Sequence, residues 1–290
     1  MKKQTIIMAS LLIIWATLSM SNNVFAQACS IARWAPNPVG ADNMTVGTIA
    51  DGNRRYAGPC GLNITLAGES SYLVDNTPTD EPTFNVRFYF FLDDVGEDVT
   101  FYQALDGNGN PVITAKYSAT SEKVDVVFAG TPSTTVSVGP ARSPGWNSLE
   151  IQWTSGGSVT PKAILGSASG SDEETASALD TSALTVSQAR LGVSDAIVGS
   201  VPTGGSIDFD DYDSRRDTVP GRLCRGLTDS SRSALALEDV ETIFNEFATG
   251  GLFQAAGTPD YNGDGVVDLN DATAVFTRFA IGQEDCSLNR

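Results

Sequence analysis

The run "FNVRFYFFL", residues 84–92, is the most strand-like stretch of the chain. Most of its residues are aromatic or β-branched, and the run is long enough for a buried central strand. Shorter runs of the same character follow or precede it, separated by Gly, Pro, Asn and Asp: "GLNITLA" (61–67), "VITAKYS" (112–118), "KVDVVFAG" (123–130), "TTVSVG" (134–139) and "SLEIQWT" (148–154). Many short strands with turn signals between them predict an antiparallel β-sandwich or barrel.

The hydrophobic period changes after Pro220-Gly221. Apolar residues then recur at helical spacing in two segments, as Leu237, Val240, Ile243, Phe244 and Phe247 and again as Leu269, Ala272, Val275, Phe276 and Phe279. The two segments superpose at an offset of 32 residues, which indicates a tandem repeat of a loop and a helix. We therefore expect a mainly β domain over 27–217 and a small α-helical unit over 221–290.

The stretch "DYNGDGVVDLND", residues 260–271, has the pattern of an EF-hand calcium loop. Calcium is a hard cation that takes several oxygen ligands, and a tight loop supplies them from alternating positions around a glycine that permits a sharp turn. The predicted ligands are the side chains of Asp260, Asn262, Asp264, Asp268 and Asp271 and the backbone carbonyl of Val266, with Gly265 at the turn. The loop is therefore predicted to bind one Ca²⁺.

The corresponding loop of the first repeat lacks most of these ligands. The equivalent positions are Thr228, Ser230, Arg232, Ala236 and Asp239. Only Asp239 keeps a carboxylate, and Arg232 would place a cation where the metal should lie. We expect one calcium ion in the chain, not two.

The calcium loop, closed by Asp271 where most EF-hands have Glu, resembles the calcium repeat of type I dockerins. The resemblance covers residues 221–290, and the duplicated loop–helix unit strengthens it. It implies the same calcium ligands and a module that docks onto a cohesin-like or other surface protein. Because the first loop departs from the pattern, a purely structural calcium site is the alternative.

The N-terminus has the features of a Sec signal peptide, residues 1–26. Lys2 and Lys3 precede a short apolar run, and Val24-Phe25-Ala26 fits a cleavage site. We expect an exported, secreted or cell-surface bacterial protein without a membrane span. The formal net charge of −17 argues against nucleic-acid binding.

The four cysteines and the absence of histidine constrain the chemistry. An even number of cysteines in an exported chain favours disulfides, and we predict the pairs Cys29–Cys60 and Cys224–Cys286. With no histidine, the Ser-His and Cys-His nucleophile pairs and most zinc sites are excluded.

The strand series containing "VRFYFFLD", "WNSLEIQW", "ARLGVSD" and "IDFDDYDSRR" resembles secreted concanavalin A-like (laminin-G-like) jelly rolls over residues 60–217. Folds of this type often bind glycans, and some hydrolyse them. Trp146 follows a Pro-Gly turn and is the candidate for stacking on a sugar ring. The acidic strand end, Asp208 to Asp213, could pair with arginines or hold a second cation.

No strand carries the paired carboxylates that a glycoside hydrolase of this fold requires, so we predict that the protein is not an enzyme. The favoured function is calcium-dependent binding or assembly outside the cell, through docking of the C-terminal unit to a partner or through self-assembly, with the sandwich as cargo. The alternatives are carbohydrate binding with a structural calcium site and, least favoured, glycoside hydrolysis.

Overall fold

The computed structural model describes residues 29–35, 37–194, 201–229, 232–251 and 257–283. The signal peptide and Cys286 lie outside these residues, so export by that peptide and the pairing of Cys224 with Cys286 stay predictions. The other predicted disulfide, Cys29–Cys60, is present. None of the helices in the described part of the chain is long and apolar enough to span a membrane.

Thirteen strands, three α-helices and two short 3₁₀ helices, Ala41–Asn43 and Ile49–Asp51, make up the described regular structure. The strands are β1 (Met44–Gly47), β2 (Gly61–Ala67), β3 (Ser71–Asp75), β4 (Thr83–Asp93), β5 (Val99–Leu105), β6 (Pro111–Ser118), β7 (Lys123–Phe128), β8 (Thr134–Val138), β9 (Gly145–Thr154), β10 (Lys162–Ser167), β11 (Gly170–Thr175), β12 (Gln188–Ser194) and β13 (Thr203–Arg215). The helices are α1 (Ile31–Trp34), α2 (Leu237–Ala248) and α3 (Leu269–Ala280).

The strands form two antiparallel sheets packed face to face as a jelly-roll sandwich. One sheet has seven strands in the order β1-β2-β13-β4-β9-β10-β11, and the other has six in the order β3-β12-β5-β6-β7-β8. The predicted fold class, an antiparallel sandwich followed by a small helical unit, is confirmed. Consecutive strands often lie in different sheets or far apart in one sheet, which no local pattern specifies.

The run 84–92 belongs to β4, which lies at the centre of the seven-stranded sheet between β13 and β9. Its inward residues, including Phe84, Phe88 and Phe90, lie in the core between the sheets. Its outward residues Tyr89 and Phe91 are buried as well. Both faces of the strand are covered, so that even its outward polar residues Asn85 and Arg87 are buried.

A second, smaller aromatic cluster covers the outer face of this sheet. Tyr56, Tyr89, Phe91 and Trp146 pack together there, with the Tyr56 and Tyr89 rings stacked at 3.8 Å between centroids. Residues 54–57 are held over the sheet, and the Tyr89 hydroxyl accepts a hydrogen bond of 2.8 Å from the Leu223 amide. The C-terminal unit therefore packs on the sandwich from the first residues after the domain boundary.

The two long helices share a small core of their own. Ile243 of α2 and Val275 of α3 are fully buried in it, together with Leu235 and Ala272. Six of the large apolar residues at helical spacing do not enter this core and are exposed: Leu237, Phe244, Phe247, Leu269, Phe276 and Phe279. The apolar face read from the sequence is thus wider than the face that the two helices bury against each other.

A buried ion pair joins α2 to the segment in front of β2. The guanidinium of Arg55 contacts the carboxylate of Glu246, and both side chains are almost completely excluded from solvent. Nearby, the amide of Gly58 donates to the carbonyl of Gly257 at 3.1 Å.

Candidate metal centre

Asp260, the first residue of the predicted calcium loop, lies at the centre of the loop's hydrogen bonds. Its side chain is buried, at 1% exposure. One carboxylate oxygen accepts from the amides of Gly263 at 2.7 Å and Asp264 at 3.2 Å, and the other accepts from the amide of Gly265 at 2.7 Å. The chain is therefore wrapped around this carboxylate.

Asp271, the last residue of the loop, closes it from the first turn of α3. It is completely buried. Its two oxygens accept from the amides of Asn262 at 3.0 Å and Asp268 at 2.9 Å. Asp268 is the N-cap of α3 and accepts from the amide of Asn270 at 2.6 Å, so the loop and the helix start are one hydrogen-bonded structure.

Burial and neighbouring acids disfavour the ionisation of both Asp260 and Asp271. Burial, and then the charge of Asp271, raises the pKa of Asp260 to about 8. Burial also raises the pKa of Asp271 to about 6, and the charges of Asp268 and Asp264 add to the increase. A cation held between these groups would offset both the desolvation and the repulsion.

All of the candidate metal ligands in the loop are oxygen atoms, which suit calcium and not a soft metal. Asp264 is half-buried and accepts from the Val266 amide at 2.9 Å, while the Asn262 amide oxygen accepts from the Asp264 amide at 2.8 Å. Among the described residues, no three side chains of Asp, Glu, Cys or His are grouped so that they could hold a metal by themselves. A cation in this loop would therefore also need the Asn262 amide and the Val266 carbonyl, which are ligand types that calcium accepts.

Gly265 is required by its backbone and by its surroundings. Its φ of +88° lies in the left-handed region. A Cβ at this position would lie 2.7 Å from Cε2 of Phe91 and 3.0 Å from Cδ of Arg54. The loop thus turns directly against the outer face of the sandwich.

The first loop holds its buried carboxylate with a guanidinium. Asp239 is completely buried. It accepts from Nη2 of Arg232 at 2.6 Å, from the Thr228 amide at 2.8 Å and from the Ala236 amide at 2.7 Å. Arg232 aligns with Asp264 of the second loop, and its guanidinium lies beside the buried carboxylate. Ser230 lies outside the described residues.

The acidic end of β13 is divided among separate partners. Asp208 bonds Arg54 and Asn63, Asp211 pairs with Arg87 at 2.7 Å, and Asp213 pairs with Arg215 at 2.7 Å. Asp210 accepts from three backbone amides, those of Tyr56, Ala57 and Asp211, and burial raises its pKa to about 7. These contacts favour arginine and backbone pairing over a shared second cation.

Trp146, the predicted sugar-stacking residue, is buried at 2% exposure, so this prediction is corrected. The Pro-Gly turn precedes β9, and Trp146 is the second residue of that strand. Its ring packs edge-on against Tyr56 and Phe91 under the C-terminal unit. A glycan cannot stack on a ring face that the chain itself covers.

An open groove of about 210 Å³ lies farther along the outer face of the seven-stranded sheet. Polar side chains dominate its lining, which includes Thr83, Asn85, Gln152, Thr154, Thr160 and Lys162. No local sequence pattern marks this groove, because its residues come from β4, β9 and the start of β10 with the residues just before it, and they meet only through the sheet register.

No protein-family model and no curated protein matches the sequence. Among solved structures, the chain is similar to a glucuronan lyase from the fungus Trichoderma reesei, with 15% identity, a TM-score of 0.43 and coverage of 61% of this chain and 89% of that one. It is also similar to an alginate lyase from Alteromonas sp. 272, with 12% identity, a TM-score of 0.34 and coverage of 63% and 91%. The LG1–3 region of the laminin α2 chain matches with 11% identity, a TM-score of 0.38 and coverage of 53% and 31%.

The prediction that the protein is not an enzyme is wrong as an inference from this fold. The solved structures with a similar sandwich include polysaccharide lyases as well as a laminin region. At these identities and TM-scores the matches carry no argument about the activity of this chain.

Proposed function

We propose that the protein binds one calcium ion in the loop 260–271 and uses its helix pair to dock onto a protein partner outside the cell. The observation that carries the calcium proposal is the contrast between the loops. The completely buried Asp239 has the guanidinium of Arg232 beside it, whereas the equivalent Asp271 has the carboxylate of Asp264 at the matching position of the repeat.

An exposed apolar face on α2 and α3 supports docking. Matching residues of the two repeats contribute to it, and their exposed fractions are 53% and 52% for Leu237 and Leu269, and 47% and 49% for Phe244 and Phe276. Large apolar groups concentrated on a small surface are typical of interaction sites. Glu238 and Glu241 are exposed beside them, so the fitting partner is a folded protein with an apolar surface and a basic rim.

Two further features agree with an extracellular setting. The Cys29–Cys60 disulfide is typical of proteins in oxidising compartments. The resemblance of 221–290 to dockerins supports a docking module in a surface assembly, with the sandwich as its cargo.

The test is calorimetry of the full mature chain with calcium, followed by capture of envelope and secreted proteins in calcium and in EGTA. A partner that fits the proposal is eluted by EGTA, rebinds as a purified protein, and is lost from the double variant Phe244→Ala/Phe276→Ala. Val219→Ala, which removes an equally exposed apolar side chain elsewhere, is the control. If calorimetry detects no heat of calcium binding to the wild-type chain, the metal site is contradicted. If light scattering shows a calcium-dependent dimer, the partner is a second copy of this chain and not another protein.

The polar groove on the sandwich supports polysaccharide binding as a second candidate function. Its amides, hydroxyls and the Lys162 ammonium are groups that bind sugar hydroxyls and carboxylates. Glucuronan and alginate are suitable probes, with both retention and release of shortened chains measured. Lys162→Ala/Gln152→Ala should abolish either signal, whereas Lys123→Ala on β7 of the other sheet should not. Equal signals from both variants would exclude the groove.

A further inference from the structure

The calcium loop is bonded to the sandwich through its own backbone. Nη1 of Arg142 donates to the carbonyl of Asn262 at 2.7 Å. The amide of Trp146 donates to the carbonyl of Gly263 at 2.8 Å. These carbonyls belong to loop positions 3 and 4: Asn262 is itself a predicted ligand, and Gly263 lies between it and the next one, Asp264.

Arg142 comes from a turn whose own geometry is fixed by hydrogen bonds. Its amide donates to Oδ1 of Asn147 at 2.7 Å, and its carbonyl accepts from Nδ2 of the same residue at 2.8 Å. Asn147 is buried at 1% exposure. The guanidinium is therefore presented to the loop from a rigid part of the sandwich.

The packing beneath the loop is equally close. Phe91 lies under Gly265, and the guanidinium of Arg54 lies 4.4 Å from the Phe91 ring centroid. The same guanidinium pairs with Asp93 at 2.9 Å and with Asp208 at 3.2 Å. The second loop thus lies on a surface that the sandwich holds in place.

We propose that Arg142 is a positioning residue for the calcium loop, so that calcium binding and packing of the C-terminal unit on the sandwich stabilise each other. This inference rests on the proposed calcium site. A loop whose backbone is held near its ligand-bound shape loses less conformational freedom when the ion binds. Linkage then requires that calcium strengthen the contact between the loop and the sandwich by the same factor.

The charge of Arg142 acts in the opposite direction, because a guanidinium near the loop repels a divalent cation. Two variants separate the effects: Arg142→Met removes the charge and the donor, and Arg142→Gln removes the charge but keeps an N–H donor. If positioning dominates, Arg142→Met weakens calcium binding by about tenfold, in keeping with the loss of one hydrogen bond from a charged donor. Arg142→Gln lies between Arg142→Met and the wild type.

Calcium titration calorimetry of the full chain measures these affinities, with Arg190→Met as the matched control. Arg190 lies on β12 in the other sheet, over the Tyr72 ring. A purely structural role for Arg142 would lower the melting temperature equally in calcium and in EGTA and leave the calcium Kd unchanged, and that result overturns the proposal. If the wild-type chain binds no calcium, both the proposed metal site and the positioning role of Arg142 are contradicted.

Amide hydrogen exchange of Trp146 in the wild-type chain tests the linkage without any variant. Calcium should slow this exchange, because the amide is bonded to the loop. If calcium binds and the exchange rate of Trp146 does not change, the loop and the sandwich are not linked.

Discussion

The two loops of the C-terminal unit place a buried aspartate at the same position with different neighbours. Asp239 and Asp271 both lie in the first turn of a helix, both are completely buried, and both accept a backbone amide from the N-cap residue. In the first loop Arg232 contacts Asp239 at 2.6 Å. In the second, the aligned residue is Asp264, a further acid.

Both repeats thus keep the aspartate at the helix start, and they differ in the sign of the charge at the aligned loop position: Arg232 is positive and Asp264 is negative. A buried carboxylate needs a partner, because desolvation disfavours its charged form. In the first loop the partner of the buried Asp239 carboxylate is the guanidinium of Arg232. In the second loop, burial and neighbouring acids raise the pKa values of Asp260 and Asp271, so a bound cation would stabilise the charged forms of both.

Calcium should produce the largest change in stability, and only through the second loop. At a free calcium concentration a thousandfold above Kd, binding to the folded state alone stabilises it by about 4 kcal/mol. Urea unfolding of the full chain in calcium and in EGTA measures this difference. It should disappear in Asp264→Ala and persist in Asp217→Ala, which removes an exposed acid outside the loops. Identical unfolding midpoints for the wild type in both buffers would contradict the calcium site.

Arg232→Ala should destabilise the unit by about 2–3 kcal/mol with or without calcium. Breaking a fully buried ion pair costs about 3–5 kcal/mol, and the figure is reduced here because the Arg232 side chain is 28% exposed. Unfolding of the variant in both buffers tests it. Arg215→Ala, which breaks an exposed pair with Asp213, should cost less than about 1 kcal/mol. A loss for Arg232→Ala that calcium restores would mean that the first loop also binds metal.

Asp264→Arg should give the second loop the arrangement of the first, in which an arginine at this position neutralises the buried aspartate. A guanidinium beside Asp260 and Asp271 should raise stability in EGTA by about 1–2 kcal/mol, because it neutralises buried charge from a partly exposed position. The melting temperature should then no longer respond to calcium. Asp264→Ala is the matched control, since it removes the same acid without adding a cation. A calcium response that survives Asp264→Arg would show that this position is not a ligand.

Asp210 extends the comparison to a buried carboxylate that is held by backbone amides alone. Burial raises its pKa to about 7, well above its unfolded value. Between the unfolded pKa of an aspartate, about 4, and the folded pKa of about 7, the folded protein retains a proton that the unfolded chain has released. The free energy of unfolding therefore falls as the pH rises through this window.

Between pH 6 and pH 8 the Asp210 contribution should reduce the free energy of unfolding by about 1 kcal/mol. The measurement is the difference between the wild type and Asp210→Asn at each pH, so that the contributions of other carboxylates, including neighbouring Asp211, largely cancel. Parallel pH profiles for the two proteins would show that Asp210 is ionised throughout.

The sequence predicted those features that depend on local pattern. The run 84–92, rich in aromatic and β-branched residues, is a central strand that is buried along its whole length, and the offset repeat yields two helices, each preceded by a loop. Alignment of the two loops predicted a cationic side chain, that of Arg232, at a ligand position of the first loop, and the structure shows that its partner is Asp239.

Residues whose surroundings come from distant parts of the chain could not be assigned in this way. Trp146 has the local sequence of an exposed turn. The loop 260–271 lies over it, although this loop follows more than 100 residues later in the chain. Phe244 and Phe276 have the spacing of core residues and are exposed, because the helix pair buries a narrower stripe. Hydrophobic spacing identifies an apolar face without specifying what covers it.

The sequence by itself determined the β-rich class, the repeat, the oxygen-bearing loop and the broken copy of that loop, since each is written in residues that are close in the chain. The tertiary structure alone decided the strand order, the attachment of Arg142 and Trp146 to the loop, the burial of Asp210 and the exposed helix face. Those features depend on which surfaces meet after folding. Burial and the partners that it provides, and not residue type alone, set the charge and accessibility of a side chain.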